Sequence, residues 1–88
     1  MNVIYKYQIF PGDMQVLEIP QDSKILCVQT QGGEPQMWVQ QYTEGSLTQK
    51  EIYIIPTGAT FDADDKKYIG TFQLNGGTLV FHVYESVF

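Results

Sequence analysis

The stretch YIGTFQLNGGTLVFHV, residues 68–83, carries the pattern that decides the fold. Asn75-Gly76 lies between two runs that alternate apolar and polar residues. A two-residue type I′ turn needs positive φ at both central positions, which favours those residue types. Such a loop sets Leu74 opposite Gly77, Phe72 opposite Leu79, Gly70 opposite Phe81 and Tyr68 opposite Val83, so one face is apolar throughout. Sliding the loop to Gly76-Gly77 keeps that parity, whereas a three-residue loop brings Phe72 across from Val80 and mixes the faces. An even-numbered loop is therefore expected. The other face holds Ile69, Thr71 and Gln73 beside Thr78, Val80 and His82, and reads as half-wet.

Working outward from this hairpin, the chain repeats short apolar and β-branched runs broken by Pro, Gly and Asp clusters, with little room for a helix. Strands are expected near 2–10, 14–19, 25–31, 37–43, 51–55, 68–74 and 78–85. Turns are expected at Pro11-Gly12-Asp13, Pro20-Gln21-Asp22-Ser23, Gly32-Gly33-Glu34-Pro35 and Asn75-Gly76-Gly77, with residues 56–67 as the one long connection. In strand 2–10 both faces carry apolar groups, Val3, Tyr5, Tyr7 and Ile9 on one and Ile4 and Phe10 on the other, which suggests cover on both sides by a second sheet or another subunit. The fold class read from this is all-β and mainly antiparallel: one domain over residues 1–88, built as a small β-sandwich or partly open barrel of about six to seven short strands.

At 88 residues, a lone core is small and self-assembly is expected. The net charge is −5, and all five basic residues are lysines (Lys6, Lys24, Lys50, Lys66 and Lys67). Duplex nucleic acid is disfavoured as a partner, because affinity there comes largely from basic side chains neutralising phosphates. A small phosphorylated ligand survives that argument, since backbone N–H groups and hydroxyls hold a phosphate with little formal charge. Cys27 is the single cysteine, so no intramolecular disulfide and no cysteine-based metal cluster is expected. The first residues, MNVIYKYQIF, lack the basic and long apolar regions of a signal peptide, and no run approaches the ~20 apolar residues of a membrane span. The default expectation is a soluble intracellular protein.

His82 is the single histidine, and no serine stands in a nucleophile-elbow context, so it reads as a strand histidine hydrogen-bonded across the sheet or at an interface. Asp62, Asp64 and Asp65 have the chemistry of hard-cation ligands but lack the alternation and the later glutamate of an EF-hand loop. They read as a solvated acidic loop partly neutralised by Lys66 and Lys67. No metal or other cofactor is expected. The best anion-holding candidate is Ile55-Pro56-Thr57-Gly58-Ala59-Thr60, where Gly58 allows close backbone approach and Thr57 and Thr60 offer hydroxyls. Lys6 is the cation expected near it. Tyr5, Tyr7 and Trp38 are stacking candidates for a base, a contact worth roughly 1–3 kcal/mol. Gln40 and Tyr42 share the parity of Trp38 and suit a groove or an interface.

Several segments together carry a resemblance: Val3-Ile4-Tyr5-Lys6-Tyr7-Gln8-Ile9, Glu18-Ile19-Pro20 followed by Lys24-Ile25-Leu26, Met37-Trp38-Val39, Pro56-Thr57-Gly58, and Tyr68-Ile69-Gly70-Thr71-Phe72-Gln73-Leu74 leading to Leu79-Val80-Phe81-His82. In order and spacing, over nearly the whole chain, they resemble a family of small phage-encoded proteins known as a domain of unknown function. In size, polarity and expected oligomerisation the chain is also similar to phage sponges that capture cyclic-nucleotide immune signals, the anti-CBASS type. That resemblance implies a homo-oligomer in the cytoplasm of an infected bacterium. It would sequester a cyclic dinucleotide without catalysis, with aromatics at the bases and Lys6 and the threonine loop at the phosphates. The alternative is an acidic inhibitor that covers a basic surface of a host defence protein. An enzyme acting through His82 or the aspartates has the least support.

Overall fold

The computed structural model describes residues 1–12 and 14–87. Its strands are β1 (Asn2–Gln8), β2 (Met14–Pro20), β3 (Lys24–Gln31), β4 (Glu34–Tyr42), β5 (Leu47–Pro56), β6 (Lys66–Leu74) and β7 (Leu79–Ser86). They form two antiparallel sheets, one of three strands in the order β1-β4-β3 and one of four in the order β2-β5-β7-β6. Of the two architectures expected, the sandwich is the one observed, and it does not close into a barrel. The sheets draw together where β3 runs beside β6. There the Thr30 hydroxyl donates to the Gln73 carbonyl at 3.4 Å. A Cβ placed on Gly70 would lie 3.3 Å from the Cβ of Val28, so glycine suits this close backbone approach.

Alternation decides what each strand buries. In β4, Met37 and Val39 are wholly buried, and in β5 Ile52 and Ile54 are buried while Tyr53 and Ile55 are only partly so. Ile9, Ile19, Ile25, Val28, Phe72 and Val83 complete the core between the sheets. Each such side chain contributes roughly 1.5–3 kcal/mol when fully removed from water. The turn between β1 and β2 falls where expected, with its Asp13 outside the described residues.

In the β6–β7 hairpin, Leu74 pairs with Leu79, Phe72 with Phe81 and Thr71 with His82. This is the register of the loop slid to Gly76-Gly77, and the inward face is the one expected. The two glycines have φ of 66° and 96°, and the Thr78 N–H donates to the Asn75 carbonyl at 3.3 Å, the shape of a type I′ turn. Farther along β6 the register shifts between Tyr68 and Gly70, so Tyr68 pairs with Tyr84 and Gly70 with Val83. That bulge exchanges the faces expected for two residues, because an extra residue reverses the parity of everything before it. Ile69 packs against the core, and Tyr68 lies 52% exposed on the outer face.

One further expectation is corrected. Pro35 is not a turn residue: Gln31 pairs with Glu34 across Gly32-Gly33, and Pro35 lies in the central strand β4. It is tolerated because its nitrogen faces the line of β1 beyond Gln8, where the Ile9 N–H still reaches its carbonyl at 3.0 Å. Strand β1 is covered on one side only within a single chain. It forms the edge of its sheet, and Ile4 and Tyr5 are each 54% exposed. Among the described residues no helix is long and apolar enough to cross a membrane.

Candidate functional site

The outer face of the four-stranded sheet gathers a histidine, hydroxyls and three tyrosines. Pairing across β5, β7 and β6 puts Ile55, His82 and Thr71 in one row and Tyr53, Tyr84 and Tyr68 in the next. His82 stands between two hydroxyls: its Nε2 is 2.7 Å from Thr57 Oγ1 and its Nδ1 is 2.9 Å from Thr71 Oγ1. Thr71 Oγ1 in turn lies 2.6 Å from the Tyr68 hydroxyl, and the Thr57 hydroxyl donates to the Val80 carbonyl at 3.4 Å. One directional chain satisfies all four contacts: Tyr68 donates to Thr71, Thr71 to Nδ1, Nε2–H to Thr57, and Thr57 to Val80. A carbonyl can only accept, so all four contacts are made together in the Nε2–H tautomer. His82 is thus the cross-strand histidine expected from the sequence.

Beside it the connection after β5 turns sharply. The Ala59 N–H donates to the Pro56 carbonyl at 3.1 Å, and Gly58 occupies the third turn position with φ of 94°, as a type II turn requires. The turn rises over the sheet and leaves a hollow of about 280 Å³ lined by Ile55, Pro56, Thr57, Gly58, Ala59, Phe61, His82 and Tyr84. The Phe61 and Tyr84 rings meet at its margin, 5.1 Å apart and tilted by 55°. Tyr68 then packs edge-on against Tyr84 at 5.5 Å.

The neighbouring charges neutralise one another. Lys66 bonds Asp65 at 3.0 Å and the Asp62 carbonyl at 2.8 Å, and sits 4.6 Å above the Tyr53 ring. The hydrogen bond from Lys66 holds the Asp65 carboxyl below its ordinary range, and the same bond raises the Lys66 ammonium. Tyr53 donates to Glu51 at 2.7 Å, which keeps its phenol protonated and raises its pKa. The Asp62 carboxylate accepts from the Asp64 N–H at 2.9 Å, so it closes its own loop. Among the described residues no group of His, Cys, Asp or Glu is arranged to hold a metal ion.

The structure divides the seven residues singled out in the sequence. Thr57 and Gly58 line the hollow, whereas Thr60 is exposed and does not line it. Lys6 and Trp38 share a row on the outer face of the other sheet, with Cys27 as their third member. Lys6 donates there to Gln31 at 2.7 Å. The two outer faces point away from each other, so Lys6 does not attend the Thr57 loop of its own chain. Tyr7 points to the core side and donates to buried Gln41 at 2.7 Å, while Tyr5 stands on that side at the open edge. Phe61, His82 and Tyr84 are not among the binding residues expected from the sequence. The hairpin register signals that His82 faces outward, but its neighbour Thr57 depends on the pairing of β5 with β7.

A family model described as a domain of unknown function, DUF7352, matches residues 1–87. The chain belongs to the DUF7352 family. No match was found among curated proteins or among solved structures. Family membership thus agrees with the resemblance to a domain of unknown function and adds no activity to it.

Proposed function

We propose that this DUF7352 chain is a non-catalytic binding protein. It captures a small phosphorylated ligand of the nucleotide class, with the base against Phe61 and Tyr84 and polar atoms at Thr57, His82 and the Gly58 turn. The observation that carries this reading is the hollow itself, where an aromatic margin and a hydroxyl–imidazole pair converge on one glycine turn. Its volume suits one ring and its attached group, so a cyclic dinucleotide, the ligand of a phage sponge, would seat one half per chain. No lysine lines it. Recognition of the phosphate therefore requires the Thr57 hydroxyl to turn from the Val80 carbonyl, which keeps the Thr57 N–H at 3.1 Å, toward the ligand beside the Gly58 turn.

The test mixes pure protein with a panel of cyclic mono- and dinucleotides, removes free ligand, then heats the protein and analyses what is released. Intact nucleotide supports sequestration. Altered nucleotide would mean catalysis, and no uptake would turn attention to an acidic inhibitor of a protein partner. For a nucleotide that binds, Thr57→Val and Tyr84→Ala should each weaken affinity by about tenfold or more, the loss of one hydrogen bond or one stacking contact. Lys6→Ala should leave it unchanged.

A further inference from the structure

We infer that the outward edge of β1 is an interface for the β1 of a second copy of this chain, paired antiparallel with Tyr5 at the two-fold centre. This goes beyond the binding reading and does not rest on it. The β1–β4 register and its terminal hydrogen bonds fix which backbone groups are free. The Ile9 N–H donates to the Pro35 carbonyl and the Thr43 N–H to the Met1 carbonyl, so the odd-numbered residues of β1 face β4. The N–H and C=O groups of Asn2, Ile4, Lys6 and Gln8 therefore point away from the sheet. Gln15 corroborates this from the other side: its side-chain amide takes the Phe10 N–H at 2.9 Å and donates to the Gln8 carbonyl at 3.3 Å. It plays the part of a neighbouring strand at one end and leaves the edge open from Asn2 to Lys6.

The two outer edges of the sandwich differ in how they are guarded. Gln21 N–H donates to the Ser46 carbonyl, which continues the β2–β5 register and puts Val16, Glu18 and Pro20 on the outward edge of β2. A carboxylate and a proline without an N–H discourage pairing there. On β1 the corresponding charge is Lys6, and it is drawn back across the sheet to Gln31 on β3, two strands from the edge.

Self-complementarity selects a second copy as the occupant and Tyr5 as the centre. Tyr5 is the midpoint of Asn2–Gln8, so this register overlaps the whole strand. It pairs Ile4 with Lys6 of the second copy, and each such pair exchanges both of its backbone bonds. Val3 and Tyr7 then meet on the core side, where Tyr5 stands beside its own counterpart and loses its exposure. A centre at Lys6 would oppose two like charges; at the Tyr5 centre Asn2 meets Gln8 of the second copy, and Gln15 gives up the Gln8 carbonyl it holds at 3.3 Å in the single chain. The product is a single sheet running β3-β4-β1-β1-β4-β3 through both chains.

Sedimentation equilibrium and amide exchange at two protein concentrations test this together. We expect a dimer whose Ile4 and Lys6 amides exchange at least about tenfold more slowly when concentrated than when dilute, while Val3, Tyr5 and Tyr7 are protected in both. Ile4→Pro removes only an outward N–H, and Ile4→Lys sets a second ammonium opposite Lys6 of the partner copy. Either should yield a 10.0 kDa monomer in which the Ile52 and Val83 amides stay protected. A parent protein monomeric at millimolar concentration overturns the inference. So does a dimer whose Ile4 and Lys6 amides exchange as fast as in the monomer, or one that both folded variants retain.

Discussion

Tyr7→Phe removes one oxygen from a residue that sequence pattern favours as a ligand contact and that the fold uses as an internal prop. The Tyr7 hydroxyl donates to Gln41 Oε1 at 2.7 Å, and Gln41 is only 8% exposed. The ring, which packs against the core, stays in place. What changes is that a buried amide oxygen loses its donor, which costs about 1–3 kcal/mol. Half-burial of Tyr7 argues for the lower part of that range, about 1–2 kcal/mol. For a domain of this size 1 kcal/mol is worth roughly 4–8 °C, so the melting temperature should fall by about 4–16 °C. Gln41→Leu should cost a similar amount, since it strands the phenol. The double variant replaces both polar groups and should recover most of the loss, giving a coupling energy of at least about 1 kcal/mol. Thermal melts followed by far-UV circular dichroism measure all four species. A Tyr7→Phe protein that melts with the parent, or strictly additive single effects, would refute the claim that this pair supports the core.

At Gly58 the positive φ is strained for any residue with a Cβ, yet a Cβ there meets nothing within 4 Å. Gly58→Ala should therefore cost about 1–2 kcal/mol through backbone strain alone. Gly58→Asn should cost less, and equal denaturation midpoints for both variants and the parent would contradict this. The Asp65 carboxyl is held below its ordinary range by Lys66, so the pair stabilises the fold above about pH 4 and loses that contribution as pH falls through the lowered value. Lys66→Met should flatten the acid limb of a stability-against-pH curve, and superimposable limbs for variant and parent would count against the pair.

Period-two alternation is enough to read the fold class, because it is a local property that survives small errors of boundary. The β6–β7 hairpin shows how far that goes. An Asn-Gly-Gly run between alternating strands restricts the loop to even lengths, so Phe72, Phe81 and Val83 are assigned inward whichever pair of residues turns. The bulge at Ile69 lies beyond such reasoning. It answers to the close passage of β3, where Val28 stands against Gly70, and no feature near residue 69 announces a neighbour so distant in the chain. Pro35 misleads for a related reason: proline is costly in a central strand only where its nitrogen must find an acceptor, and here β1 has already ended.

The site is harder to read than the fold because a sandwich has two outsides. Alternation separates Lys6 and Trp38 from the core as firmly as it separates His82 and Tyr84, and both sets read as half-polar faces. Which outer face each joins is decided by the strand order, with β4 between β1 and β3 in one sheet and β7 between β5 and β6 in the other. Those pairings join strands far apart in sequence and leave no mark on neighbouring residues. Charge alone associates Lys6 with the Thr57 loop, and the sheet order separates them, while Lys66 finds its partner in Asp65, the residue before it. Where an outer residue's partners are local, composition finds them. Where they arrive through sheet order, as Thr57 does at His82, only the assembled sheet brings them together.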